Sequence, residues 1–157
     1  METLSPPSTC WHATIRIATR RPTEFIDLTD RLASLLVASE IRLGFVNVQT
    51  LHTTTAIVVN EHEPLLLADF ATLLEQAAPR DAAYRHDDAG VRTVNLTADE
   101  RINGHAHCRA LMLGNSTCVN VIDGVLRLGT WQRVFLVELD GPRDREISVV
   151  VLGGCRR

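Results

Sequence analysis

The stretch from Phe45 to Asn60 restricts the fold more than any other, because nine of its sixteen residues are β-branched: Val46, Val48, Thr50, Thr53, Thr54, Thr55, Ile57, Val58 and Val59. Two substituents on Cβ stiffen χ1 and pack well on a pleated surface, so this stretch favours extended chain over helix. It predicts two strands or one long bulged strand.

Further strands are expected on both sides of it. Trp11 to Ala18 alternates imperfectly and reads as an opening strand, behind a tail in which Pro6 and Pro7 resist regular pairing. Phe25 to Leu28 is expected to pair with it. Toward the C-terminus, Thr117 to Ile122, Trp131 to Glu138 and Glu146 to Leu152 read as three strands, separated by the turn formers Asp123-Gly124 and Gly141-Pro142. The tail from Gly153 to Arg157 is expected to fray.

Three helices fit between these strands. Asp27, Thr29 or Asp30 supplies a capping oxygen for a helix to about Ala38, whose Leu32, Leu35, Leu36 and Ala38 form an apolar stripe. Pro64 suits the first position of a second helix, where its missing N–H costs nothing, and Pro79 stops it. His105 to Leu113 reads as a short third helix. Arg80 to Asn103 is charged and weakly periodic, so it is expected to be a long functional connection. Strands outnumber helices and short turns join most of them. The prediction is therefore an α+β fold, a compact β-rich sandwich of mostly antiparallel strands with a few helices, forming one domain over residues 1–157 with short flexible tails.

The 157 residues carry 16 basic and 19 acidic side chains, and the formal charge of -3 provides no general field for nucleic acid. No apolar run approaches the roughly 20 residues of a membrane span. Cys10, Cys108, Cys118 and Cys155 form no C-x-x-C pair, and Met1 to Trp11 lacks the apolar run of a secretion signal. The expectation is a cytoplasmic protein with reduced thiols that binds neither nucleic acid nor membrane.

Chemistry concentrates in a few places. His52 precedes Thr53, Thr54 and Thr55, and Asn60-Glu61-His62-Glu63 follows; His52 is either a ligand or catalytic imidazole or a satisfied structural one, since the spacing matches no zinc motif. His86-Asp87 in Tyr84-Arg85-His86-Asp87-Asp88 pairs an imidazole with a carboxylate that can orient it; the alternative is a solvated loop. His105 and His107 are two positions apart, so on a helix at most one need enter a pocket. Cys108 reads as a small buried residue. Gly114-Asn115-Ser116-Thr117, with Arg109 nearby in sequence, can bind an anion or simply form a helix exit. Thr130 and Gln132 flank Trp131 as rim contacts, with Trp131 itself an aromatic anchor at a strand start, in the chain's own core or in a subunit interface. Asp140-Gly141-Pro142-Arg143 is a tight turn first and a charged site second.

The block Ser116-x-x-Val119-x-Val121-x-x-Gly124-x(4)-Gly129-Thr130-Trp131-Gln132-x-Val134 resembles the signature of the YjbQ-like family, described as secondary thiamine-phosphate synthases. His52-Thr53-Thr54, Asn60-Glu61, Tyr84-x-His86-Asp87 and Ala106-His107 fall in the same order upstream, so the resemblance spans about Trp11 to Leu152. It implies a homotrimer and a pocket in which His52, Glu61, His86, Asp87 and His107 are both the catalytic groups and the ligands of a divalent metal, zinc first. Asp69 is a weaker addition. The extra histidine His105 and the Thr-rich run to Thr55 depart from the simplest pattern. The implied activity is transfer of hydroxymethylpyrimidine from its diphosphate to thiazole phosphate, releasing pyrophosphate, with Arg109, Asn115, Ser116, Thr130 and Gln132 as substrate contacts. The alternatives are a metal-assisted hydrolase or isomerase of a small phosphorylated metabolite, and a non-catalytic metabolite- or metal-binding trimer.

Overall fold

The structure, a computed structural model, describes residues 9–99 and 101–154. Of the expected tails, residues 1–8 and 155–157 lie outside the described residues, whereas Gly153 and Gly154 do not fray: they end the last strand, held by ladder pairing with Thr9, Gly44 and Leu43. Eight strands and three helices follow in the order β1 (Thr9–Ala18), β2 (Glu24–Asp27), α1 (Thr29–Ser39), β3 (Leu43–Thr50), β4 (Thr55–Glu61), α2 (Pro64–Ala77), α3 (Gly104–Leu113), β5 (Ser116–Ile122), β6 (Val125–Leu126), β7 (Gln132–Glu138) and β8 (Asp144–Gly154). A single 3₁₀ turn, Arg85–Asp87, interrupts the long connection between α2 and α3.

The β-branched stretch divides into β3 and β4, which belong to different sheets. One sheet runs β1-β8-β3-β5-β6 and the other β2-β7-β4, and every pairing in both is antiparallel. This is the compact β-rich α+β architecture. The sheets face each other across a core in which Val46, Val48, Val149 and Val151 of the larger sheet meet Ile57, Val134 and Leu136 of the smaller one, with Leu32 and Leu36 of α1 closing the side. On the smaller sheet's other face, Ala56, Phe135 and Val137 pack with Leu74 of α2 and Ala106 of α3. β7 is thus buried on both faces, and its alternate residues serve two different cores.

Phe25 does not pair with β1. Strand β2 pairs with β7 in the other sheet, Phe25 opposite Val137, because Phe25 has an apolar partner under α2, where it lies 6.0 Å from Phe70. At the start of α1 it is Asp27, of the three expected residues, that supplies the oxygen: Leu28 occupies the cap position without a side-chain bond, and Asp27 Oδ1 accepts from the Thr29 amide at 2.8 Å. Helix α2 begins at Pro64, with the Glu63 carboxylate accepting from the Leu65 and Leu66 amides, which satisfies two of the free N–H groups of its first turn. Asp123 and Gly124 both have positive φ, 55° and 77°, as a two-residue hairpin turn matched to strand twist requires. Trp131 is 70% exposed and anchors nothing in this chain's core.

Candidate active site

Four connections meet at one end of the sandwich: the β3–β4 turn, the α2–α3 loop, the first turn of α3, and the start of β8. Between them lies a cavity of about 500 Å³ whose lining includes His52, His86 and His107 together with Arg92, Arg101, Arg143 and Arg145. Positions far apart in sequence become neighbours because β3 and β4 bracket the two sheets, while α3 packs beside β4.

Hydrogen bonding fixes the tautomers. His52 Nε2 lies 2.8 Å from the Glu146 amide N–H and accepts its hydrogen, so its proton resides on Nδ1. Burial, and then the charge of Arg145, lower the His52 pKa, which keeps this ring a neutral N–H donor. His86 holds the same tautomer with the other nitrogen engaged. Its Nδ1 is 3.2 Å from Asp87 Oδ1, and a carboxylate only accepts, so Nδ1 holds the proton and Nε2 keeps its lone pair. The same Oδ1 accepts the amides of Asn103 and Gly104 at 3.1 and 2.9 Å. Burial pushes the Asp87 carboxyl up, but these three bonds outweigh it and hold the pKa below the ordinary carboxylate value. Asp87 therefore stays ionised and tethers His86 to the N-terminus of α3. Gly104 is needed for that approach: a Cβ there would fall 2.5 Å from Tyr84 Cβ.

His107 stacks obliquely on His86, ring centroids 4.5 Å apart, and burial, followed by electrostatic competition with the neighbouring His86 for a second proton, lowers its pKa. His105 faces the interior instead, completely buried. A helix advances about 100° per residue, so two positions carry a side chain about 200° round, to the opposite face.

The cationic lining rests on two carboxylates behind it. Arg145 and Glu138 form a buried bidentate pair, with Nε–Oε2 at 2.7 Å, and Arg145 Nη2 also donates to Thr54 Oγ1 at 3.0 Å. Glu138 accepts in addition from Thr19 Oγ1 and from the Leu139 and Asp140 amides. Arg145 is therefore already neutralised. Arg101 commits Nη1 to the Asp140 carbonyl at 2.8 Å and Arg143 places Nη2 3.4 Å from Asp140 Oδ2. Each keeps further N–H groups, on side chains 39% and 37% exposed, and these are the donors available to an anion. Arg92 braces the loop by donating to the carbonyls of His86, Val94 and Asn95.

Other expected contacts lie elsewhere. Glu61 ends β4 opposite Gln132, six residues of strand and about 20 Å from the His52 end, so within one chain Glu61, Gln132 and the adjacent Thr130 do not reach the cavity. The Gln132 side chain caps its own turn by accepting from the Gly129 amide. Arg109, 1% exposed, closes the end of α2: it donates to the Ala78 carbonyl at 3.0 and 2.8 Å and pairs with Glu75. Asn115 lines an adjoining cavity, and Ser116 opens β5 opposite Gln49. Sequence reading missed Arg92, Arg101, Asn103 and Arg145 and ranked Arg143 as a turn residue; the concentration of arginines in the charged loop and just after Pro142 was the available signal. Cys10, Cys108 and Cys118 are free and exposed, so Cys108 is not the buried residue expected.

A zinc ion does not fit the donors of one chain. The His52 lone pair is taken by an amide, the facing Asp87 oxygen accepts three hydrogens, and Glu61 is remote. His86 Nε2, His107 and the second Asp87 oxygen remain, with Asp99 elsewhere on the lining, but among the described residues no three His, Cys, Asp or Glu side chains group as the shell of at least three protein ligands that such a site uses. Among the described residues, too, no helix is long and apolar enough to cross a membrane.

Comparison with known proteins adds a consistent picture. The family described as UPF0047 protein YjbQ-like matches residues 13–154. A UPF0047 protein of Methanothermobacter thermautotrophicus is 43% identical over 137 residues, covering 87% of this chain and 88% of its own. One from Archaeoglobus fulgidus is 41% identical, with 88% and 98% covered. Among solved structures, a YbjQ-like protein of Sulfolobus solfataricus superposes with a TM-score of 0.83 at 34% identity, covering 94% of this chain and 99% of its own.

Proposed function

The chain belongs to the YjbQ-like UPF0047 family, and from that premise we propose that its arginine- and histidine-lined cavity is the active site of an enzyme acting on a small phosphorylated metabolite. The observation that carries the reading is the convergence of three imidazoles with the partly free guanidiniums of Arg101 and Arg143 in one cavity. A volume of about 500 Å³ suits a metabolite.

The specific reaction we propose is transfer of hydroxymethylpyrimidine from its diphosphate to thiazole phosphate. The thiazole nitrogen lone pair forms the new C–N bond as the C–O bond to the diphosphate breaks, and pyrophosphate leaves with the bonding electrons. Arg101, Arg143 and the His52 Nδ1–H supply preorganised donors for the charge that develops on that leaving group. Hydrolysis is a second reading, favoured by the Asp87–His86 pair: the attacking thiazole nitrogen carries no proton, whereas water does, and His86 Nε2 is placed as a base to accept it.

Phosphorus NMR on protein freed of trace synthase separates the two. Transfer yields thiamine phosphate and pyrophosphate only when both precursors are present, and hydrolysis releases pyrophosphate without thiazole phosphate. In either case Arg143→Gln is expected to slow turnover by about 100-fold. In the hydrolytic case Asp87→Asn and His86→Ala slow it by about 100-fold or more. Turnover unchanged in both Arg143→Gln and His86→Ala would place the chemistry elsewhere.

A further inference from the structure

Beyond His52 and His107 lies a second cavity, of about 650 Å³, that shares both imidazoles, Leu51 and Thr53 with the first. Its character is different. Among the described residues no Arg, Lys, Asp or Glu lines it, whereas four arginines and Asp99 line the first. Its walls include Ala110 and two aliphatic side chains standing well out in solvent, Leu51 at 54% and Leu111 at 86% exposure. Its floor is the exit of α3. Gly114 has φ of 89°, and a Cβ built on it meets nothing within 4 Å, so space opens directly in front of the backbone there.

The backbone of this exit is pinned. Gly114 O accepts from Ile57 N–H at 3.2 Å, and Asn115 O accepts from Thr50 N–H at 3.0 Å, which ties the exit to both sheets. The Asn115 side chain therefore stands at the cavity wall on a fixed main chain, and its amide offers one accepting and two donating positions. Walls that mix Leu51, Ala110 and Leu111 with the neutral polar side chains of Gln49, Thr50, Thr53, Thr55 and Asn115, and that hold no counter-ion among the described residues, disfavour a charged group, which would lose hydration without compensation. They suit a flat, uncharged group with a hydrogen-bonding rim.

We propose that the site is bipartite: the arginine cavity holds the phosphorylated group, and the cavity beyond His52 and His107 takes an uncharged heterocyclic ring whose edge hydrogen-bonds to Asn115. The inference rests on the function proposed above and names the second half of its substrate chemistry. His52 and His107 stand at the boundary, so the bond made or broken lies beside the imidazoles.

Amide NMR spectra of the full chain, titrated with inorganic pyrophosphate, with 4-aminopyrimidine, and with both, test this at neutral pH. Aminopyrimidine is expected to shift the amides of Ala110, Leu111 and Asn115, and pyrophosphate those around Arg101 and Arg143, with both bound together. Asn115→Ala is expected to weaken aminopyrimidine by about 5-fold, the worth of one hydrogen bond, while pyrophosphate binds as before. Aminopyrimidine that binds nowhere, displaces pyrophosphate, or is indifferent to Asn115→Ala overturns the bipartite site and leaves the proposed function standing. Pyrophosphate that fails to bind overturns both.

Discussion

His105 is completely buried, and among the described residues neither of its ring nitrogens has a hydrogen-bond partner. It packs beside Tyr84, 6.5 Å between ring centroids. Burial first, then the charges of Arg80 and Arg109, lower its pKa, against the opposing pull of Asp140 and Asp87. The unfolded chain titrates this group near about 6.5, so below that pH the unfolded state binds more protons than the folded one. Stability present at neutral pH is therefore lost as pH falls below about 6.5 and on through the folded pKa. His52 and His107 are shifted in the same direction and add to the loss, whereas Asp27, Asp87 and Glu138, with lowered carboxyl pKa values, act at lower pH. Urea unfolding at about pH 7 and pH 5 is expected to show a smaller acid loss in His105→Leu than in the parent chain. An equal loss in both would show that burial of this imidazole carries no proton linkage. The orientation of the two neighbouring histidines was legible from helical spacing. Which of them faced inward was not, since Gly104-His105-Ala106-His107 has no strong apolar stripe of its own.

At the scale of elements, the Glu138–Arg145 pair joins the end of β7 to the start of β8 and so links the two sheets beneath the cavity. Removing one partner leaves a buried charge: Arg145→Met is expected to cost about 3–5 kcal/mol, and adding Glu138→Gln to recover part of it. Urea denaturation of the single and double variants checks this, and a double variant no more stable than the single one would contradict it. Elements written in local signals were legible, as with α2 from Pro64 and the hairpin turn at Asp123-Gly124. The partner of β2 was not, because a four-residue strand carries no information about which distant edge it meets. Arg109 was misplaced for a related reason. It follows His107 by two positions in sequence, but α3 turns it away from the cavity and onto the end of α2.

For the molecule as a whole, the candidate cavity lies where the two sheets and the long loop meet, and the three histidines that line it had been singled out in the sequence while its cations had not. Arginines are ordinary surface residues, and only the fold brings Arg101 and Arg143 together across 42 positions of chain. Glu61 and Gln132 failed to join for the converse reason, since extended strands carry neighbours in the sequence to opposite ends of a sheet. Titration calorimetry with inorganic pyrophosphate, at low and moderate salt, tests the central claim that this cavity recognises a phosphorylated group. One site per chain is expected, weakened by salt, and weakened at least about 10-fold in Arg101→Gln/Arg143→Gln without loss of folding. Pyrophosphate that does not bind the parent chain, or binds the folded double variant equally well, would contradict it.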